Sequence, residues 1–340
     1  MRKAQRGGGK AIDFAESTWE DRAKHNRPLR AWHCALVSGA RRETQPLKSM
    51  RLKFLTTVAA LACLAATAGV PIPEQYKISG FAMGCQSYTF NRFSAFEAIE
   101  KTAAAGGKVI EFYPGQRFSL EDGGLKLDQS LSDENITRLK AKLEKHGLMA
   151  VNFGVVGGFG GDEAAARKVF EFAKKMGMPA ITIEPKIDSM DVVEKLIKEY
   201  DIKVAIHNHP RKPNDASYRL WDPNYVLSLV KDRDSRFGAC ADIGHYVRSG
   251  VKPVDALKIL KGRVISSHLK DLSEFAPSGH DMPFGMGVSD IAAVLDELRN
   301  QRFDGNISIE YEFNWDHSVP DVAQCIGFIR GYGAGRSSKK

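Results

Sequence analysis

The sequence predicts a single-domain (β/α)₈ TIM barrel, and three observations lead there. From Gly80 onward, short apolar runs rich in β-branched residues alternate with amphipathic stretches of helical period. Eight such units fit into about 260 residues, at roughly 25–40 residues each, which is the arithmetic of a closed eightfold barrel. Four of the later runs also end on side chains that ligate metals: VAIHNHP (204–210), CADIGH (240–245), VISSHLKD (264–271) and ISIEYEF (307–313). In a parallel βα array the C-terminal strand ends are where an active site is built.

The elements follow in order. FAMGCQSYTF opens the first unit and is followed by the helical SAFEAIEKTAAAG, which stops at Gly106-Gly107. KVIEFYPG is the second strand; a polar loop over 116–132 leads to DENITRLKAKLEKHG, with Asp133 placed to cap it. LMAVNFGVV and GDEAAARKVFEFAKKMG form the third unit, AITIEP and DSMDVVEKLIKEYD the fourth. VAIHNHP precedes DPNYVLSLVKD, FGACADIGH precedes PVDALKILKG, VISSHLKD precedes SDIAAVLDELRNQ, and NISIEYEFN precedes VPDVAQCIGFIRG. A doubly wound open sheet would need a Gly-rich phosphate loop after its first strand. The only comparable run, Gly154-Val155-Val156-Gly157-Gly158, follows the third strand and lacks GxGxxG spacing.

The segment before the barrel is of another kind. Residues 1–49 hold eleven Lys/Arg against five acids, and Arg51 and Lys53 complete the net charge of +8. From Phe54 on the chain is therefore close to neutral, which argues against nucleic-acid binding by the folded part. Met50 begins a basic n-region, an apolar core from Phe54 to about Leu64, and a small-x-small site at Ala66-Thr67-Ala68, the layout of a secretory signal peptide. The expected organisation is a disordered or mis-started leader over 1–49, a signal peptide over 50–68, a catalytic barrel over 78–332 and a flexible tail over 333–340. Export to the periplasm or medium follows from that reading, with no stable membrane anchor. The remaining cysteines, Cys85, Cys240 and Cys325, make no disulfide framework, and the first two read as buried strand residues.

The chemistry rests on strand periodicity. His207 and His209 share one face of the fifth strand, with Asn208 opposite, before Pro210 ends it. Asp242 lies in an apolar strand, where an unpaired charge costs several kcal/mol, about 2–7 even for a neutral polar group. It needs a cation, strong hydrogen bonds or a helix end to cap, and Gly244 permits a turn that lets His245 reach a ligand. His268 and Lys270 share a face with Asp271 opposite, and Glu310 and Glu312 share another, two carboxylates that repel unless a cation intervenes. His207, Asp242, His268 and Glu310 form a mixed N/O set suited to one divalent ion, Mn²⁺, Co²⁺, Zn²⁺ or Fe²⁺. Glu184, from the neighbouring strand, is either a fifth ligand or a general base. Glu111 in IEFYP is a metal-side candidate or a salt-bridging residue of the barrel rim. His209, His245 and Lys270 are placed to hold substrate oxygens.

From about Gly80 to Gly331 the chain resembles the xylose-isomerase-like TIM-barrel superfamily, the sugar phosphate isomerases and epimerases. The resemblance is carried by ADIGH, SSHLKD, the FGMG-V segment (284–288) and GNISIEYE. It implies a divalent metal bound by Glu, Asp, His and Glu from strands five to eight, with two glutamates exchanging a proton beside a carbonyl. Asp242, His268 and Glu310 match the last three positions, and His245 a substrate-hydroxyl binder. The fifth strand departs: His207-Asn208-His209 stands where many members carry Glu-Asn-His. Epimerisation needs a base on each face of the enediolate, so a His at that position leaves the carboxylate pair incomplete unless Glu184 completes it. The expected function is metal-dependent isomerisation or epimerisation of a small unphosphorylated sugar, with Glu184 and Glu310 as proton-transfer residues. A lyase or hydratase acting on 3-keto-glycosides, as some exported relatives look to be, needs only one base. An endonuclease-like phosphodiesterase or a non-catalytic sugar-binding barrel are further readings. The expected partner is a small carbohydrate, and self-association into a homo-oligomer stays open.

Overall fold

Every strand of the barrel alternates residues that face helices with residues that face inward, and that alternation decides what the interior holds. The structure, a computed structural model, describes residues 71–337; the expected leader and signal peptide lie outside the described residues, as do the last three residues of the expected tail. All described residues fall within one unit, Leu61–Lys340.

Eight strands pair in parallel: β1 (Phe81–Gln86), β2 (Val109–Phe112), β3 (Met149–Gly157), β4 (Ala180–Glu184), β5 (Lys203–His207), β6 (Phe237–Asp242), β7 (Val264–Leu269) and β8 (Asn306–Ile309). Each is hydrogen-bonded to the next, and β8 pairs with β1 through Ile307↔Met83 and Ile309↔Cys85, so the sheet closes on itself. Between them run helices α1 (Ala95–Ala104), α2 (Asp133–Lys145), α3 (Glu163–Met176), α4 (Met190–Tyr200), α5 (Pro223–Val230), α6 (Ile243–Arg248), α7 (Pro253–Ile259) and α8 (Ile291–Asn300), with α9 (Val319–Ser337) after the last strand. The predicted eightfold barrel is the observed architecture.

The helix starts follow from capping chemistry. Ser94 and Glu97 form a reciprocal capping box at α1, and Asp162 accepts from Ala165 N–H at α3. At α2 the cap is Ser132, whose hydroxyl accepts from Asn135 N–H, and Asp133 is the first helical residue instead. The last helix runs on to Ser337, past the barrel boundary expected at residue 332.

The main core lies between sheet and helices. Ile181 and Ile183 of β4 and Val204 and Ile206 of β5 meet Val193, Leu196 and Ile197 of α4, all essentially buried. At about 25 cal/mol per Å², fully burying each such side chain stabilises the fold by roughly 1.5–3 kcal/mol. Gly84 lets β1 approach β2, since a Cβ there would lie 1.6 Å from the Val109 carbonyl oxygen. Inside, Ala205 shares a face with His207, and Cys240 with Asp242. Together with Ala180 and Ile265 they form a separate small apolar cluster beneath the strand ends. Cys85, Cys240 and Cys325 are free and buried. Among the described residues, no helix is long and apolar enough to cross a membrane.

Candidate active site

The C-terminal ends of β5 to β8 deliver four side chains to one point. His207 is the last residue of β5, Asp242 the last of β6, His268 lies on β7, and Glu310 follows directly on β8. His207 Nε2 is 3.1 Å from His268 Nδ1 and 3.5 Å from Asp242 Oδ2; His268 Nδ1 is 3.2 Å from Glu310 Oε2 and 3.9 Å from Asp242 Oδ2. One donor atom from each of the four lies within 4.8 Å of all the others. Two further groups, Glu184 with His207 and His209, and His245 with Glu310 and Glu312, meet the same limit.

The four donors fit a divalent cation. Bonds of about 2.0–2.2 Å in a tetrahedral or octahedral shell separate neighbouring donors by about 3.0–3.6 Å, close to the spacings found. Asp242 Oδ2 and Glu310 Oε2 are buried and accept no hydrogen bond of good angle, although Lys270 Nζ lies 3.2 and 2.8 Å away. Buried carboxylates are costly unless a cation sits against them, and the Lys270 ammonium is one such cation here. By the chemistry and spacing of its donors, the buried His/Asp/Glu cluster can hold a metal.

Asp242 has two jobs at once. Its Oδ1 accepts the His245 backbone N–H at 2.8 Å and caps α6, while Oδ2 faces the cluster. Capping and ligation, alternatives in the sequence, are thus divided between two oxygens. The segment after Asp242 is a helix rather than a turn, and Gly244 serves a different end. A Cβ there would sit 2.7 Å from Lys270 Cβ and 2.9 Å from Cδ, so its absence makes room for the lysine stem. Asn208, turned away from the histidines, extends the ladder beyond β5. Its amide accepts from Asp242 N–H at 2.8 Å and donates to the Asp242 carbonyl at 3.1 Å.

Lys270 is buried and carries its ammonium into the carboxylates: 3.2 Å to Asp242, 2.8 Å to Glu310, 2.6 Å to Glu312, with His245 Nε2 at 3.4 Å. Burial works against its charge, but Asp242, Glu310 and Glu312 hold its pKa well above the ordinary lysine range. Burial likewise pushes Asp242 and Glu310 up and is outweighed: the Lys270 ammonium holds Asp242 low, and Lys270 and His268 hold Glu310 low. His207 and His245 are pulled down by burial, which keeps them neutral and able to donate a lone pair.

Behind His268 stands Glu111, and here the sequence reading needs correction. Glu111 is not at the rim; it is fully buried, with Oε2 3.1 Å from His268 Nε2. The same oxygen accepts from Ser308 Oγ at 2.7 Å and Asn306 Nδ2 at 3.3 Å. The contact with His268 is not aligned as a hydrogen bond, so this carboxylate acts on the far side of the ring through its charge. Burial pulls the His268 pKa down, and Cys240, Glu111 and Glu310 more than reverse it. The signal that found Asp242, a charge inside an apolar strand, was equally present in VIEF.

Glu184 and His209 form a second group on the β4–β5 side. Glu184 Oε1 lies 2.7 Å from His209 Nδ1 and accepts from the Tyr218 hydroxyl at 2.5 Å, while Tyr218 accepts the His209 backbone N–H at 2.9 Å. Burial pushes Glu184 up, but the His209 and Tyr218 hydrogen bonds hold it down to about 2. The His209 ring is the more exposed partner, 43 % against 26 %, so it stands between Glu184 and solvent. Tyr218, from the loop before α5, was not anticipated from sequence; nothing in its local pattern distinguishes it from a surface aromatic. On the opposite side, Asp271 accepts from the backbone N–H of Gly285 (2.8 Å), Gly287 (3.0 Å) and Ser289 (3.0 Å) and so pins the FGMG-V loop. A Cβ at Gly287 would meet Asp271 Oδ1 at 2.4 Å.

Comparison with known proteins places this geometry in context. A family model described as xylose isomerase-like TIM barrel matches residues 99–330. A putative uncharacterized protein from Parabacteroides distasonis ATCC 8503 is 32 % identical, with 74 % of this chain and 99 % of that chain covered and a TM-score of 0.60. D-psicose 3-epimerase with D-tagatose from Clostridium cellulolyticum H10 shares the fold at 13 % identity, covering 74 % and 98 %, TM-score 0.55. A xylose isomerase domain protein from Planctomyces limnophilus does so at 16 %, covering 71 % and 93 %, TM-score 0.55. No curated protein matches the chain.

Proposed function

Because the chain belongs to the xylose isomerase-like TIM-barrel family, we propose that it is a divalent-metal-dependent isomerase or epimerase acting on a small unphosphorylated sugar or sugar derivative. The observation that carries the reading is the convergence of His207, Asp242, His268 and Glu310 on one point at the strand ends. These four would hold the ion, which supplies Lewis acidity toward a carbonyl or vicinal hydroxyl pair when bound.

The chain's own groups do the rest. Glu184 orients His209, and this pair is the proton acceptor on one side of the pocket; the 2.7 Å contact fixes the ring toward the open mouth. Glu310, with Lys270 against it at 2.8 Å, handles the proton on the other side. Lys270 and His245 are placed to hold substrate hydroxyls or an oxyanion. The pairing of Glu184 with an imidazole refines the expected role of that carboxylate: it acts through His209. Export through a signal peptide at Met50 remains part of the proposal and accords with an unphosphorylated substrate.

One feature favours a second reading. His207 stands where a carboxylate would complete a two-glutamate pair, and Glu310 and Glu312 both engage Lys270. A lyase or hydratase acting on a 3-keto-glycoside needs one base only and suits that arrangement. Incubation with a panel of keto- and aldohexoses and 3-keto-glycosides in D₂O separates them by NMR. Deuterium entering the carbon beside the carbonyl supports proton transfer with re-protonation, whereas a new C=C bond and a released alcohol support elimination. In either case, excess EDTA should abolish turnover and Mn²⁺ or Co²⁺ restore it. Glu310→Gln and Glu184→Gln should each cost about 10²–10⁴-fold in kcat, the scale of a general acid–base group. Full turnover in excess chelator would sink the metal-dependent reading.

A further inference from the structure

Beside the site lies a groove of about 730 Å³ with no part in the chemistry above. It runs between the loop after β8, the turn at residues 281–286 and the start of α9, and Asp281, Met286, Phe313, Trp315, Asp321 and Gln324 line it. That volume falls within the range of small-molecule sites, about 300–1,000 Å³. Its lining mixes aromatic side chains with carboxylates and carboxamides; its one arginine, Arg92, is paired with Asp316, and His317 is the other basic side chain. Phe313 is 46 % exposed and Met286 58 %, so apolar surface is presented to solvent here. Trp315 meets Tyr88 edge-on at 5.9 Å and Tyr88 meets Tyr113 at 5.2 Å, which extends the aromatic wall around the mouth toward β1 and β2.

Asp281 is the informative residue. It is 1 % exposed, and while Oδ2 accepts from Arg248 Nη2 at 3.0 Å, Oδ1 has no hydrogen-bond partner. The other carboxylates of the groove are engaged, Asp316 with Arg92 and Asp321 with Asn314 at 3.2 Å. A buried acceptor without a donor, in the wall of a cavity, calls for a hydroxyl or amide from a ligand. Arg248 also lies 3.4 Å from Glu312 Oε2 and 3.3 Å from His245 Nδ1, so one guanidinium joins this groove to the proton-transfer site. Along the chain the two are one residue apart: Glu312 faces Lys270, and Phe313 lines the groove.

We infer that this groove is a subsite for a second, uncharged sugar ring, so that the substrate is a disaccharide-sized glycoside rather than a free monosaccharide. The apolar face of a pyranose stacks on Trp315 or Phe313, and a ring hydroxyl donates to Asp281 Oδ1. The carboxylates disfavour an anionic ligand, and the buried charge of Asp281 disfavours a wholly apolar one. The inference rests on the sugar reading above for the identity of the first ring.

Isothermal titration of the Mn²⁺-loaded protein with glucose, cellobiose, trehalose and sucrose tests it. At least one disaccharide should bind about tenfold more tightly than glucose. Trp315→Ala and, independently, Phe313→Ala should each cut that advantage at least about fivefold while leaving glucose affinity unchanged. The inference is overturned if no disaccharide outbinds glucose, or if both variants retain the full advantage. Retained disaccharide preference in a protein that exchanges no substrate proton would keep the subsite and remove only the catalytic reading.

Discussion

Replacing Glu111 by Gln should weaken divalent-metal binding about tenfold without unfolding the barrel. Glu111 touches no expected ligand position facing the cluster; it acts on His268 from behind, at 3.1 Å from Nε2. The contact lies outside hydrogen-bond alignment, so the carboxylate acts on the buried imidazole through its charge. A Gln of the same shape removes the charge and can still accept from the Ser308 hydroxyl, now at 2.7 Å. Losing that charge should raise the metal Kd about tenfold, the low end of the range for outer partners of metal-ligating histidines, or about 1.4 kcal/mol. Glu111→Ala goes further: it also takes the acceptor from the Ser308 hydroxyl and opens space, and about ten- to hundredfold is expected, the range for outer partners of metal-ligating histidines. Titration of chelator-stripped protein with Mn²⁺, alongside far-UV circular dichroism, gives both numbers. A Glu111→Gln protein that is folded and binds Mn²⁺ within twofold of the wild type would refute the argument that this carboxylate acts on His268 through its charge.

Two further outcomes follow from the buried charges. Lys270→Met leaves Asp242, Glu310 and Glu312 without their shared ammonium, and breaking a buried ion pair costs about 3–5 kcal/mol. Urea unfolding should show that loss in metal-free protein and a clearly smaller one with saturating Mn²⁺; equal losses in both would show that lysine and metal do not share those carboxylates. Asp281 gives a pH signature. Burial pushes it up to about 6 against the pull of Lys270 and Arg248, while Glu312 adds to the rise. A raised acid binds its proton more tightly in the folded state, so its contribution is full below about pH 4 and is lost as pH rises through about 6, up to about 3 kcal/mol in all. Asp281→Asn should flatten the fall in unfolding free energy between pH 4 and 6; an unchanged slope in the variant would assign it to other groups.

The barrel was legible because its signals are local and repeated. Each strand carries a period-2 or continuous apolar run and each helix a 3.6-residue stripe, and eight repeats in succession leave few other architectures. His207, Asp242, His268 and Glu310 were legible for a related reason: polar side chains at the ends of apolar strands have to converge once the strands are parallel and closed. Boundaries were less so. The segment after Asp242 reads as a turn because of Gly244, whereas the glycine in fact answers to Lys270 just past the end of β7, a contact across 26 residues that no local pattern encodes.

What the sequence determined by itself was the fold class and the set of strand ends that build the site, since hydrophobic periodicity and side-chain alternation act within a few residues. What only the tertiary structure decided was how those residues divide their atoms. Asp242 splits its oxygens between a helix cap and the cluster, Glu111 turns from the expected rim to the back of His268, and Glu184 is taken up by His209 and Tyr218. Those assignments depend on distances between strands far apart in the chain, and closure of the barrel is what sets them.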